Sequence, residues 1–343
     1  MTQLPFVSII IPTYNGGILT EKTLSNCFKI KKIPVEVIVV DDGSTDGTPE
    51  RLVEHFPAIR LHRLPNNSGS GSAGRNAGLA LARGHYVKFL DHDDLIQPRG
   101  FKAECEEALR TDADIVMARW GVVCIDGKDR FLRNTRRILT PPDPGCLPDA
   151  ILRGESMPYT AAALYKRSFV SDEYWDASVS VIDDYDWFCR LALKGGKMSR
   201  IDTISYFWRL HPESIQGRSH GESEMYDRFM FARCRVYEKI EQRLQSLGQL
   251  NRLRRQLLAR RYYDCLRCHS PHHRALLAHM RSLDPEFVVD ATCESDPRAL
   301  WLIHRIGLPS FLTLYGFTRR FTGAVRGLRR RPASTSLASS GAV

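Results

Sequence analysis

The sequence predicts an α/β fold: a Rossmann-like, mostly parallel sheet flanked by helices, followed by a helical C-terminal extension. Three observations predict it. Short β-branched runs alternate with stretches of helical spacing through the first 210 residues, and several of those runs stop abruptly at polar loops. From Gly221 onward the strand pattern gives way to long, arginine-rich helical periodicity. With 343 residues and 43% hydrophobic content, the chain can bury a full core, and its length is that of one large domain with an appendage.

Residues 7–11 are a β-branched run that Pro12, unable to donate to a ladder, is expected to close. Helical spacing of Leu19, Thr23, Leu24 and Cys27 follows, and residues 35–40 form a second apolar strand ending on Asp41-Asp42-Gly43. A strand, a helix and a strand at this spacing make a right-handed parallel unit, so both strands deliver their loops to one edge. Residues 48–56 suit a helix, 59–64 a third strand, and 66–72 a Gly/Ser/Asn-rich loop opening a helix over 73–82. The apolar run 86–90 is a buried strand that stops at Asp91-His92-Asp93-Asp94. After a helix over 101–110, residues 114–118 and 122–125 read as two strands, the second turning through Asp126-Gly127 into a hairpin with Arg130-Phe131-Leu132. The Pro-rich stretch 140–148 reads as loop, 161–165 as a short strand, 185–194 as an amphipathic helix stopped by Gly195-Gly196, and 203–208 as a last strand.

Beyond that point, residues 225–247 and 250–268 read as two helices packing on the main domain. Residues 296–331 carry apolar runs interrupted by His304-Arg305 and Pro309, then Arg319, Arg320, Arg326, Arg329, Arg330 and Arg331. That pattern is too broken for a spanning helix and suits a segment lying in a membrane interface with its arginines on anionic headgroups. The charge supports this placement: residues 1–220 hold 28 Lys+Arg against 28 Asp+Glu, whereas 221–343 hold 21 against 11, the whole excess of +10. The expected division is a catalytic domain over 1–220, a helical extension over 221–295, a basic amphipathic membrane-associating segment over 296–331 and a disordered tail over 332–343. No leading signal segment is seen, and nine scattered cysteines fit reduced thiols, so the expected place is cytoplasmic, peripheral on the inner face of the plasma membrane.

Carboxylates crowded as in Asp91-His92-Asp93-Asp94 repel one another unless a cation lies between them, and Asp91 and Asp93 are spaced to reach one ion together. Oxygen ligands favour Mg²⁺ or Mn²⁺, with room left for a diphosphate; the plain alternative is a solvated acidic turn. Arg75 stands at a helix start behind a glycine loop, where its guanidinium and the helix N–H groups face the same phosphate, or it is a surface arginine.

Four motifs occur in order: Pro12-Thr13-Tyr14-Asn15, Val39-Val40-Asp41-Asp42-Gly43-Ser44-Thr45-Asp46, Gly71-Ser72-Ala73-Gly74-Arg75-Asn76-Ala77-Gly78 and Phe89-Leu90-Asp91-His92-Asp93-Asp94. As a set over residues 5–215 they resemble the family-two glycosyltransferases, inverting enzymes of the GT-A fold that use a nucleotide-sugar donor. The resemblance implies that Asp42 holds the uracil or its ribose, with Pro12 and Tyr14 lining the base. It also implies that Asp93 carries the metal, with Asp91 beside it or on the ribose. In Ile182-Asp183-Asp184-Tyr185 the family's usual Glu-Asp pair is replaced by Asp183-Asp184, and Asp184 is the candidate base. His211 resembles a position that touches metal or diphosphate in some relatives. On their own, Asp42 is also a turn residue, Tyr14 a packing residue, Asp183 or Asp184 a helix cap and His211 a solvated loop histidine.

The implied reaction is metal-dependent transfer from a nucleotide-diphosphate-sugar, a UDP-sugar, to a hydroxyl of a glycan or lipid-linked acceptor in surface polysaccharide biosynthesis. The processive members' Gln-x-x-Arg-Trp signature is not seen, which favours single additions. Two rivals stand beside it. A sugar-phosphate nucleotidyltransferase wants a basic glycine loop after the first strand, and a non-catalytic carbohydrate-binding or membrane-scaffold protein would not need Asp42, Asp91, Asp93 and Asp184. The tail's interleaved Leu, Ile, Phe and Trp favour lipid over nucleic acid, and Cys265-Leu266-Arg267-Cys268-His269, a string that also fits haem or zinc, reads as two helix-borne thiols.

Overall fold

A computed structural model describes residues 6–126, 137–155, 160–179, 181–211, 223–266, 273–290 and 296–312. Its strands are β1 (Val7–Thr13), β2 (Val35–Asp41), β3 (Arg60–Arg63), β4 (Tyr86–Phe89), β5 (Leu95–Ile96), β6 (Ile115–Cys124), β7 (Arg137–Leu139), β8 (Ala163–Lys166) and β9 (Met198–Leu210). They form one sheet in the order β3-β2-β1-β4-β8-β6-β9-β5, with β7 against β6. The first four strands pair in parallel, as the strand-helix-strand spacing predicts. Past β4 the sheet is mixed, because β8 runs antiparallel to both β4 and β6 while β9 returns parallel to β6.

That topology fixes the functional edge. β1, β2 and β4 end together, with Thr13 opposite Asp41 and Phe89 opposite Ile10. β6 points the same way as β4, since two antiparallel pairings, β4 with β8 and β8 with β6, cancel, and β9 runs parallel to β6. The loop after β9 therefore arrives beside the loop after β4, the place where open α/β sheets bind ligands.

The helices are α1 (Gly17–Cys27), α2 (Thr48–His55), α3 (Gly71–Leu81), α4 (Pro98–Thr111), α5 (Leu147–Arg153), α6 (Arg167–Val170), α7 (Asp183–Lys194), α8 (Ser223–Ser246), α9 (Arg252–Leu266), α10 (His273–Leu283) and α11 (Pro297–Ile306). Strand alternation decides what each packs against. Val7, Ile9, Ile11, Val37 and Val39 cover α1, α2 and α4 through Leu24, Leu52 and Phe101. Ile10, Ile38, Val40, Val87 and Phe89 face Leu79 of α3, Trp187 of α7 and, further out, Tyr237 and Tyr262 of the extension. Helix α3 lies close on the sheet because it carries Gly74 and Gly78; a Cβ at Gly78 would sit 2.3 Å from Ile10 Cγ2. The helices of the extension share one continuous core with the sheet rather than forming a core of their own.

Four expectations change. Pro12 does not end β1: it pairs with Val40 inside the strand, and its missing N–H falls beyond the last β4 partner, Phe89. The strands expected at 114–118 and 122–125 are one strand, β6, running through Gly121 with a register shift at Arg119; the Arg130-Phe131-Leu132 half of the hairpin lies outside the described residues, and β7 pairs there instead. The Pro-rich stretch runs into α5, whose first turn holds Pro148 and which Gly154 closes at φ 75°. The start of α7 is not side-chain capped, since Ile182 occupies the cap position. Cys265 is buried in the core, and Cys268 and His269 lie outside the described residues. Of the basic segment, α11 is described, and residues 313–343 are not. Among the described residues no helix is long and apolar enough to cross a membrane.

Candidate active site

The loops after β1 and β2 are laced together first. The Asp42 N–H donates to the Thr13 carbonyl at 2.8 Å, Asn15 N donates to Ser44 Oγ at 2.8 Å, and Thr45 N donates to Asn15 Oδ1 at 2.9 Å. Asn15 holds φ 48°, a left-handed turn that asparagine tolerates. The Asp42 carboxylate, itself buried, accepts from Ser68 N at 3.0 Å and Ser68 Oγ at 2.8 Å, which ties the glycine-rich loop before α3 to the end of β2. Gly43, at φ 78°, has the Asn67 N–H so close that a Cβ would meet it at 2.8 Å. Tyr14 stands 45% exposed at this edge, while Pro12 is buried in the strand beneath it.

Arg75 is the organising cation. Buried in the first turns of α3, it gives Nη2 to Asp91 Oδ1 at 2.6 Å and Nη1 to Asp183 Oδ2 at 2.9 Å, and its guanidinium lies 4.6 Å over the Trp175 ring. Ser72 Oγ donates to the same Asp183 oxygen at 2.7 Å. Burial works against the charge on Arg75, but Asp91, Asp183 and Asp184 outweigh it and hold the guanidinium firmly protonated. Both Nη atoms of Arg75 are taken by carboxylates, those of Asp91 and Asp183.

Asp184 follows directly. Its carboxylate accepts from the Tyr185 N–H at 2.7 Å, and burial together with neighbouring Asp183 pushes its carboxyl up to about 7, against a smaller opposing pull from Arg75. A carboxyl poised there is half ionised near neutral pH, which is what a proton acceptor requires.

The second part of the site hangs on the end of β9. Asp93 Oδ2 faces His211 Nε2 at 3.0 Å. Burial would raise the Asp93 carboxyl, but the His211 hydrogen bond and the charges of His92 and His211 hold it below the usual range. Asp94 goes inward: Tyr206 donates to it, the Arg209 N–H donates at 2.8 Å, and burial with Asp93 and Asp91 nearby pushes its carboxyl well up. Arg209 also donates to the Asp93 carbonyl and, at 2.9 Å, to Thr23 Oγ1, while Thr23 Oγ1 donates to the carbonyls of His92 and Asp94. Thus the loop after β4 is fixed from α1 and β9, and Asp91 and Asp93 are sent to different partners.

Among the described residues no three His, Cys, Asp or Glu side chains cluster to hold a metal. Asp93 and His211 nonetheless fit a divalent ion as two of its ligands. One carboxylate oxygen and one imidazole nitrogen, 3.0 Å apart, are donors that would suit Mn²⁺ or Mg²⁺, and the ion would supply positive charge there. Asp91, 47% exposed, is committed at Oδ1 to Arg75. Ser68, Ser72, Trp175, Tyr206 and Arg209 were not singled out from the sequence: none lies in an acidic motif, although Ser68 and Ser72 lie in the Gly/Ser/Asn-rich loop 66–72 and Arg209 stands two residues before His211.

Residues 8–173 match the profile of the family described as Glycosyl transferase family 2. The chain is 26% identical over 220 residues to the succinoglycan biosynthesis protein ExoO of Rhizobium meliloti (strain 1021), covering 62% of this chain and 63% of ExoO. It is 33% identical over 128 residues to the poly(ribitol-phosphate) beta-N-acetylglucosaminyltransferase TarP of Staphylococcus aureus (strain N315), covering 36% of this chain and 38% of TarP. The match thus spans less than two thirds of either relative. Among solved structures, S. aureus TarS 1-349 in complex with UDP-GlcNAc gives a TM-score of 0.54 at 19% identity, covering 88% of this chain and 92% of that one. The mannosyltransferase PcManGT from Pyrobaculum calidifontis, in complex with GDP-Man and Mn²⁺, gives 0.51 at 17% identity, covering 96% and 89%. These two likenesses show a shared fold.

Proposed function

We propose, on the premise that this chain belongs to glycosyl transferase family 2, that it moves one sugar from a UDP-sugar to a hydroxyl of a glycan or lipid-linked acceptor, with inversion, in surface polysaccharide biosynthesis. The observation that carries the reading is the placement of Asp184: a carboxyl raised to about 7 beside the Asp183–Arg75–Asp91 group, on the sheet edge that also presents Asp42. Support for the nucleotide comes from a structural neighbour bound to UDP-GlcNAc, and for the pathway class from a relative named for succinoglycan biosynthesis.

In this reading Asp42, held by Ser68, receives the uridine with Tyr14 beside it. Arg75 keeps Asp91 and Asp183 in place, and Asp91 faces the donor with its second oxygen. Asp184 takes the proton of the acceptor hydroxyl as that oxygen bonds to the anomeric carbon; the bond from that carbon to the diphosphate oxygen breaks, and its electron pair leaves with the diphosphate. Asp93 and His211 would hold Mn²⁺ or Mg²⁺, which when bound supplies positive charge against the leaving diphosphate.

Thermal shift over a panel of nucleotide-sugar donors, with and without Mn²⁺, tests the proposal. A UDP-sugar at about 100 times its Kd should stabilise the protein by about 2.7 kcal/mol, and Asp42→Ala should remove most of that shift. Stabilisation by another nucleotide reassigns the donor, and no response to any donor favours a non-catalytic carbohydrate-binding protein. On α11, Ile303 is buried in the core, as are Leu308, Phe311 and Leu312 after it, so the helix packs on the protein and offers an anionic membrane surface only the 62% exposed Trp301, with Arg305 5.7 Å over its ring.

A further inference from the structure

The first turn of α7 carries Asp183, Asp184 and Asp186, and the two that flank the proposed base are anchored by different helices, α3 and α8. Asp183 is bound by Ser72 and Arg75 of α3. Asp186, 1% exposed, accepts from Arg190 Nε at 3.1 Å and from Lys239 Nζ of α8 at 3.0 Å. The same Lys239 ammonium donates to Asp176 Oδ2 at 2.6 Å, and that bond holds the Asp176 carboxyl far below the usual carboxylate range. Asp176 follows Trp175, whose ring stacks on Trp187 of α7 at 4.6 Å and lies under the Arg75 guanidinium. Asn76 of α3 fixes the Trp175 backbone from both sides, accepting from its N–H at 2.8 Å and donating to its carbonyl at 3.0 Å.

These contacts close a ring: from Asp186 through Lys239 to Asp176, Trp175 and Arg75, then back to α7 at Asp183. Asp184 lies on the arc between its two ends. We propose that Lys239 is a positioning residue for Asp184, so that the helical extension sets the geometry of proton removal in the sheet domain; this rests on the reading of Asp184 as the base. The physical reason is that a proton acceptor must lie within hydrogen-bond reach of the acceptor hydroxyl, and a misplacement of about 1 Å can cost about a hundredfold in rate. Loss of Lys239 should not unfold the chain, because Arg190 still joins α7 to Glu173 Oε2 at 2.7 Å and to the Tyr174 carbonyl at 2.7 Å.

Steady-state transfer by the full chain tests this. Lys239→Met should lower kcat by about tenfold or more with donor KM within about twofold, and Lys239→Arg, which keeps charge and reach, should recover most of the loss. Arg254→Met breaks the 2.7 Å pair with Asp149 that fastens α9 to α5, and should lower Tm while leaving kcat in place. Unchanged kcat in Lys239→Met, or an equal kcat loss in Arg254→Met, would overturn the positioning role. Asp184→Asn separates the two readings: full transfer by that variant fails the base assignment, whereas its loss beside an unaffected Lys239→Met fails only the role of Lys239.

Discussion

Asp91 and Asp93 stand two residues apart at the end of β4 and are held by opposite kinds of partner. Asp91 takes Nη2 of Arg75, a buried cation that keeps its proton at any accessible pH, and through Arg75 it is coupled to Asp183 and the start of α7. Asp93 takes Nε2 of His211, a ring that can exchange that hydrogen bond for coordination of a metal or for another donor. The first corner is a frame with a fixed charge balance; the second is open to a change of partner. The difference teaches that an acidic motif need not act as one unit: in the proposed reading one carboxylate steadies the start of α7 while its neighbour serves the leaving group.

The sharpest way to break this division is at Asp184, the proposed base. Asp184→Asn should lower kcat by about a thousandfold, within the range typical of general-base loss, and leave metal-dependent donor binding unchanged in thermal shift. Retained transfer would detach the Arg75 corner from catalysis. Arg75→Met should come next, destabilising the protein by about 3 kcal/mol in urea denaturation. That lies at the low end for removing one partner of a buried pair, because Asp91 is 47% exposed and water screens part of the loss. His211→Ala should leave global stability nearly intact while weakening Mn²⁺-dependent donor binding by about 10–100-fold, measured by titration. Equal stability losses in Arg75→Met and His211→Ala would erase the contrast between the corners.

The pH dependence sharpens the same point with a smaller effect. Because the Asp184 carboxyl is raised to about 7, the folded chain binds that proton more tightly than the unfolded one. Its contribution to stability is therefore fully present below the ordinary carboxyl range near 4 and is lost as pH rises through about 7. Denaturation at pH 5 and pH 8 should show Asp184→Asn gaining on the wild type as pH rises, while wild-type transfer should gain rate over that same interval as the base ionises. A flat rate profile through pH 7 would remove Asp184 as the titrating base. The smallest effect belongs to the surface: Trp301→Ser should reduce co-sedimentation with anionic vesicles by a few-fold and leave transfer to a soluble acceptor unchanged.

Much of the parallel half of the sheet was legible because its signals are local. β-branched runs, turn residues and helical spacing predict β1, β2, β4, α1, α2 and α4 within a residue or a few of their bounds. The errors have physical causes. Pro12 breaks a ladder only if a neighbour needs its N–H, and β4 ends too early to need it. Gly121 reads as a break between two strands, yet pairing with β9 on one side and β7 on the other carries β6 through it. Helix α5 was hidden by prolines that sit in its first turn and ahead of it, where a missing N–H costs nothing.

The sequence alone determined the succession of the strands β1 to β4 along the chain, the edge to which Asp42, Asp91 and Asp93 are delivered, and the basic character of the C-terminal region, since period, turn chemistry and composition act over a few residues. The tertiary structure decided which charge meets which. Arg75 pairs with Asp91 across 16 residues and with Asp183 across 108, and Asp93 with His211 across 118. Partners that far apart meet only after the reversal through β8 has laid β9 and α7 beside the end of β4. The Coulomb energy that sorts them depends on distances that no local pattern contains.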